Sequence, residues 1–333
     1  MNKEERKNMN GNNFTFDDNK AFEMCEEIKK SWDLHIGAFK DYDEEKFPEK
    51  TLPKNIKPGT KEHANYLFWV SVINYQTVAD VTFPRFRAVY EEQPEMFDPA
   101  HIRKVDDKEL REFVEQLKHM PDEVTKRWRH NAESFKELKD DIRNIHKTKD
   151  IAATQQEVIK LFHGFQYKQS SLMLSWLKNA KLIETFDSTD LNIPVDVHVQ
   201  RLSVRRDICD FKGKTRQEVI ARYLSKEYQR FFRENREFEP YDIQAYMWVL
   251  GSEGCIKNTT CRKACVFKEP CKRDLYVERE DRKLKSTGKE YHGASGMCWV
   301  SGYRPFRPRR NKYGLSNDQV KLLQESSCSG CGL

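Results

Sequence analysis

Over its 333 residues the chain has no apolar run approaching the roughly 20 residues that a helix needs to cross a bilayer. Its first residues, Met1-Asn2-Lys3-Glu4-Glu5-Arg6, lack the apolar core of a secretory signal. The expectation is a cytoplasmic, nucleoid-associated protein without a membrane partner. No strand-period segment matches the helical ones in strength, and no repeat of solenoid type occurs. A large excess of one charge is missing too. Charged residues make up 34% of the chain, but the net charge is only +6, which excludes a strongly basic, histone-like protein. The cysteines are not evenly spread: four of the nine, Cys255, Cys261, Cys265 and Cys271, crowd one segment that contains no Cys-x2-Cys pair.

What is present is helical periodicity, so the fold class expected is all-α. Residues 1–20 are polar and Asn-rich, with too little apolar surface to offset the entropy of ordering, and read as a mobile arm. From Ala21 to Phe39, apolar residues recur at steps of three and four, before Pro48, Pro53 and Pro58 impose a linker with a boundary near Lys61. The run from Asn65 to Gln76 is apolar nearly all round, as in a helix buried in a bundle. Further helices are expected over 83–90, 107–117, 123–143, 154–162, 168–180, 196–205, 217–233 and 243–250. Residues 185–194 read as a loop. Beyond the cysteines, Val277 to Lys312 holds ten Lys/Arg against four Asp/Glu, a surplus equal to the charge of the whole chain.

Crowded thiols favour metal ligation in a reducing compartment. Zinc sites usually offer tight two-residue pairs, whereas Cys-x5-Cys-x3-Cys-x5-Cys suits the corners of an iron–sulfur cube; zinc and unliganded thiols are the alternatives. Cys328-Ser329-Gly330-Cys331 is a true Cys-x2-Cys for which Cys298 is a third candidate ligand, but no fourth is evident, and a disordered tail with two thiols is expected. Cys25 and Cys209 read as buried small apolar residues.

The chemistry-bearing stretch is Leu161-Phe162-His163-Gly164-Phe165-Gln166-Tyr167-Lys168, taken with Ile193-Pro194-Val195-Asp196-Val197-His198. A glycine turn at Gly164 joins two helical patterns and sets Lys168 at the mouth of the second, a helix-hairpin-helix. A lysine attacks a sugar carbon only as a neutral amine, which needs burial or a neighbouring cation; a lysine that begins a helix is otherwise a solvated side chain. Asp196 reads first as an ordinary helix N-cap, and the same geometry also suits a carboxylate poised to stabilise a sugar cation or to accept the proton of an attacking amine. His198 and His163 are alternatives for acid–base work or hydrogen-bonded structural residues. The Gly164 amides and the following helix N-terminus make a phosphate site that grips nucleic acid without reading sequence. Tyr75 and Gln76, at the end of the buried helix, suit insertion into a base stack or a plain helix-end contact.

Together these segments resemble one family, the helix-hairpin-helix DNA glycosylases of the endonuclease III superfamily, from about Ala64 to Cys271. Leu67 through Val81 is similar to the family's first barrel helix, whose glutamine, here Gln76, fills the gap left by an extruded base. Trp128 to Leu138 resembles the helix before the hairpin, and Phe162 to Leu174 the hairpin itself, with Lys168 in the place of the Schiff-base lysine. Val195-Asp196-Val197-His198-Val199-Gln200-Arg201 resembles the Val-Asp-x-His-x-x-Arg segment that carries the essential aspartate. Met247-Trp248-Val249-Leu250-Gly251 resembles the approach to the family's iron–sulfur loop.

There are departures. Gln166 replaces the hairpin's second glycine, the cysteine spacings are shifted by one at two intervals, and the wider gap between Lys168 and Asp196 looks more like the archaeal 8-oxoguanine glycosylase branch, which generally lacks the cysteine loop. The resemblance implies two helical subdomains with the active site in the cleft between them. One is a barrel with the hairpin over 64–187. The other is a lobe over 188–272 carrying a 4Fe-4S cluster on Cys255, Cys261, Cys265 and Cys271, on which the N-terminal helix and linker of 21–63 pack. A basic extension over 273–333 follows. It further implies a monomeric base-excision repair enzyme with AP-lyase activity, acting on duplex DNA that contains a damaged, oxidised base. Lys168 and Asp196 are catalytic in that picture, and Tyr75, Gln76, His163, Gly164 and Gln166 contact DNA. The rival readings are a monofunctional hydrolase of a modified nucleoside or RNA base, and a noncatalytic iron–sulfur DNA-binding module.

Overall fold

A computed structural model describes residues 14–74, 79–146, 150–211 and 217–254, with the short segments 266–267, 276–277 and 297–298. The described residues are mostly helical. In chain order they form β1 (Thr15–Phe16), α1 (Asp18–Asp33), α2 (Lys61–Ile73), α3 (Ala79–Glu92), α4 (Pro99–Ile102), α5 (Asp107–Gln116), α6 (Pro121–Ser134), α7 (Ile151–Leu161), α8 (Tyr167–Asn179), α9 (Val197–Arg205), β2 (Cys209–Asp210), α10 (Gln217–Glu234) and α11 (Pro240–Val249), with single 3-10 turns between several of them. Among the described residues strand is confined to two-residue pairings, β1 with β2 and Tyr276–Val277 with Met297–Cys298, both antiparallel. No helix among the described residues is long and apolar enough to cross a membrane.

The chain divides into two compact units, a central one of residues 42–194 and a terminal one made of 1–41 with 195–333. In the central unit α2 is the axis of the core. Every residue from His63 to Ile73 is buried, as its all-round apolar sequence demands. Trp69 stacks on Trp128 of α6 at 4.3 Å between centroids, and each indole N–H donates to a backbone carbonyl, Trp69 to Phe97 and Trp128 to Met96. These aromatic side chains bury large areas only because their polar handles find acceptors. The residues of the expected proline linker join this unit: Pro48, Pro53 and Ile56 are buried, and the Lys54 N–H donates to the Glu91 carboxylate. The unit therefore begins at residue 42 rather than near Lys61, and only the N-terminal helix falls with the terminal unit.

The helix expected over 123–143 also differs. It stops at Ser134, runs through a 3-10 turn, and turns left-handed at Lys139 (φ 54°) and Asp140 (φ 62°). Tertiary partners outcompete helix propagation there. Asn65, buried in α2, donates to the Asp140 carbonyl and accepts from the Ile142 N–H, while Arg103 grips the Asp140 carboxylate with two nitrogens at 2.7 and 2.9 Å. The Arg103 bonds hold the Asp140 carboxyl below the usual carboxylate range.

In the terminal unit α1 lies along α11, with Trp32 stacked on Tyr246 at 4.2 Å and Phe22 edge-on to Phe238. Of the arm expected to be mobile, residues 14–20 are ordered. Phe14 stacks on Tyr223, Phe16 meets Tyr228 edge-on at 5.2 Å, and the Asp17 N–H donates to the Ile208 carbonyl. Two phenylalanines in a polar stretch thus supply the burial that composition averages away. Cys25 and Cys209 are fully buried, and burial pushes the Cys25 thiol up, as fits an inert packing residue.

Candidate active site

The hairpin is built by residues on both sides of its glycine. Phe162 and Phe165 are buried against Phe68 of α2, at 4.6 and 5.2 Å between ring centroids, and pin the turn to the core from either side. Asn131, wholly buried on α6, accepts from the His163 N–H at 2.7 Å and donates to the His163 carbonyl at 3.2 Å, so that its amide stands in for a paired backbone. Gly164 has φ 89°, in the left-handed region, and a Cβ there would lie 3.0 Å from the Arg127 side chain. Arg127 itself donates to Glu123 at 3.1 Å. His163 and Gln166 are left exposed.

Gln166 is the N-cap of α8 with φ −131° and ψ −176°, extended backbone that any residue adopts. Its side chain makes no capping bond, so the first amides of α8 meet no side-chain acceptor of their own cap. Lys168 is the second residue of that helix and is half-buried. Behind it, Gln155 of α7 reaches the Tyr167 carbonyl and the Ser171 hydroxyl through its amide nitrogen, and accepts from Asn192 through its oxygen.

Asp196 lies at the start of the terminal unit's α9 as its N-cap. One oxygen accepts from the His198 N–H at 2.8 Å and the Val199 N–H at 3.0 Å. Arg201, one turn on and 1% exposed, brings one terminal nitrogen to 2.9 Å from His198 Nδ1 and to the Gly251 carbonyl. A guanidinium only donates, so His198 Nδ1 is the acceptor, and that ring nitrogen is committed to structure. A Cβ on Gly251 would fall 2.5 Å from the His198 Cβ. Gly251 therefore has to be glycine for the approach to the cysteine segment to dock on α9.

Lys168 belongs to the central unit and Asp196 to the terminal one. His163, Gly164, Gln166 and Lys168 are gathered by the hairpin. Tyr75 and Gln76, and the cysteines Cys255, Cys261, Cys265 and Cys271, lie outside the described residues. Of the cysteine segment itself, Val266 and Phe267 are described, and the Arg206 guanidinium sits over the Phe267 ring at 4.4 Å.

Sequence reasoning missed Asn131 and Gln155. Both are polar residues on the buried face of a helix: Asn131 follows Val124 and Trp128, and Gln155 stands between Ile151 and Val158. An amide at a core position of a helical pattern was the signal available, since such a group is tolerated only when it is hydrogen-bonded.

No protein-family model, curated protein or solved structure matches the chain.

Proposed function

We propose that the chain is a base-excision repair DNA glycosylase with AP-lyase activity, removing an oxidised base from duplex DNA through a Schiff base on Lys168. The observation that carries this reading is the hairpin: a left-handed glycine, held from behind by Asn131 and flanked by two anchored phenylalanines, opens a helix whose second residue is a lysine. An exposed turn followed by a helix N-terminus without a side-chain cap suits a phosphodiester, and Lys168 is carried one residue into that helix.

In the proposed reaction the damaged nucleotide leaves the stack, with Gln76 filling the vacancy and Tyr75 beside it. The neutral Lys168 amine forms a bond to the sugar C1′ as the glycosidic bond breaks and the base departs with the bonding pair. Asp196 takes the proton released by the amine and stabilises the positive charge that develops on the sugar. Ring opening leaves an imine between Lys168 and C1′. Loss of a C2′ proton then expels the 3′ phosphate and nicks the strand.

A 4Fe-4S cluster on Cys255, Cys261, Cys265 and Cys271 belongs to the same proposal. The donor set fits such a group, with four thiols and no histidine between the first and the last. When bound it would brace a basic loop against phosphates and supply no step of the chemistry. Iron and sulfide in near-equal amounts, with broad visible absorption, are expected in the purified protein; stoichiometric zinc overturns the cluster.

Borohydride trapping on duplexes with a single lesion tests the function. The panel covers 8-oxoguanine, oxidised pyrimidines, uracil mismatches and abasic sites. Wild type should give a covalent protein–DNA adduct that disappears with Lys168→Ala. An adduct that persists in that variant removes Lys168 as the nucleophile. Free base released without an adduct indicates the hydrolase reading, and binding that leaves every base in place indicates a noncatalytic module.

A further inference from the structure

We propose that Gln155 is a positioning residue for Lys168, an inference that rests on the Schiff-base reading above. Gln155 is 1% exposed, so each polar atom of its amide needs a partner inside the protein. Its orientation is settled by chemistry. The Tyr167 carbonyl can only accept, so the amide nitrogen must face it, at 3.2 Å; the same nitrogen reaches the Ser171 hydroxyl. The oxygen is left to accept from Asn192 at 3.0 Å. One side chain on α7 thus holds the carbonyl of the residue immediately before Lys168, the wall of the next turn of α8, and a loop residue four positions before Asp196.

A helix start without a side-chain cap is where fraying concentrates. Gln166 provides none; the first turn of α8 is fastened laterally by Gln155 on the Tyr167 carbonyl, and internally by the Ser170 hydroxyl, which donates to the Gln166 and Tyr167 carbonyls. The Ser170 bonds lie within the turn and move with it; the Gln155 bond ties the turn to another helix. A hydrocarbon at residue 155 leaves the Tyr167 carbonyl and the Asn192 amide without this partner, and Lys168, itself half-buried, loses its fixed approach. Such misplacement lowers the rate of attack more than the affinity for DNA, because phosphate contacts on the exposed turn are untouched.

The test uses the full-length protein and a duplex with a single abasic site, and measures adduct formation under borohydride at single turnover across protein concentrations. Gln155→Met, close in shape and without hydrogen bonds, should lower the maximal trapping rate by about tenfold or more while the half-saturating concentration stays within about twofold. Asn192→Ala, which removes only the loop arm, should lower the same maximal rate by about threefold and keeps the proposal testable if Gln155→Met does not fold. A wild-type maximal rate in either folded variant, or a loss lying wholly in half-saturation, overturns the positioning role alone. Absence of trapping by wild type overturns the Schiff-base reading and this inference with it.

Discussion

At Gly164, Gln166 and Asp196 a single backbone angle or a single atom separates structural from chemical roles. Gly164→Ala places a Cβ at φ 89° and against Arg127 at 3.0 Å, and should cost about 1–3 kcal/mol in chemical denaturation. Gln166→Gly should run the other way from a restored family motif. The backbone at Gln166 is already extended, so glycine relieves no strain and adds freedom to the unfolded chain, a loss of about 0.5–1 kcal/mol by the same measurement. Asp196→Asn separates the two readings of that residue. Asparagine caps a helix about as well as aspartate, so unfolding should shift by less than about 0.5 kcal/mol, while base release in a gel assay should be abolished. Turnover retained in that variant removes the carboxylate from the mechanism.

At the scale of the element, the hairpin owes its shape to what stands behind it. Nothing between Phe162 and Lys168 requires the turn to be presented outward. That follows from Phe68 receiving both flanking phenylalanines and from Asn131 pairing with the His163 backbone. Asn131→Leu would leave the His163 N–H and carbonyl without this partner in a part-buried place, a cost of about 1–3 kcal/mol. Hydrogen exchange of the 162–166 amides should accelerate before that of α8 does; unchanged protection there would mean that Asn131 is not the clamp. The elements themselves were largely legible. Asp196 was identified as the cap of α9, α10 was placed to within a residue, and α2 was recognised as buried all round. The failed helix over 135–143 shows the limit. Its own residues favour continuation, and the decision came from Asn65 and Arg103, distant in sequence.

At the scale of the whole molecule, His63 and Asp140 are two of the groups among the described residues that contribute to the response to acid. Burial lowers the His63 imidazole below its ordinary value, and Nδ1 accepts from the Gly59 N–H, so the fold favours the neutral ring. The unfolded chain binds that proton more readily. The His63 contribution is therefore present above about pH 6.5 and is lost as the pH falls through the lower folded value. Asp140 is depressed by Arg103, so its contribution is present above about pH 3.9 and disappears as the pH falls through its own folded value. Denaturant midpoints should thus decline in two stages. His63→Gln should flatten the first and Arg103→Leu the second, and a variant series in which both stages persist would remove these groups as the cause.

The sequence by itself determined the helical class, most helix positions, and the local chemistry at two places: a lysine after a glycine turn, and an aspartate at a helix start. These are properties of short range, set by side-chain period, capping and backbone preference within a few residues. Only the tertiary structure decided that residues 14–20 are ordered, that the proline segment belongs to the central unit, and that Asn131 and Gln155 hold the hairpin and the lysine-bearing turn. Each of those outcomes depends on a partner brought from a dozen to more than two hundred residues away, and no local pattern encodes which buried donor will meet which acceptor.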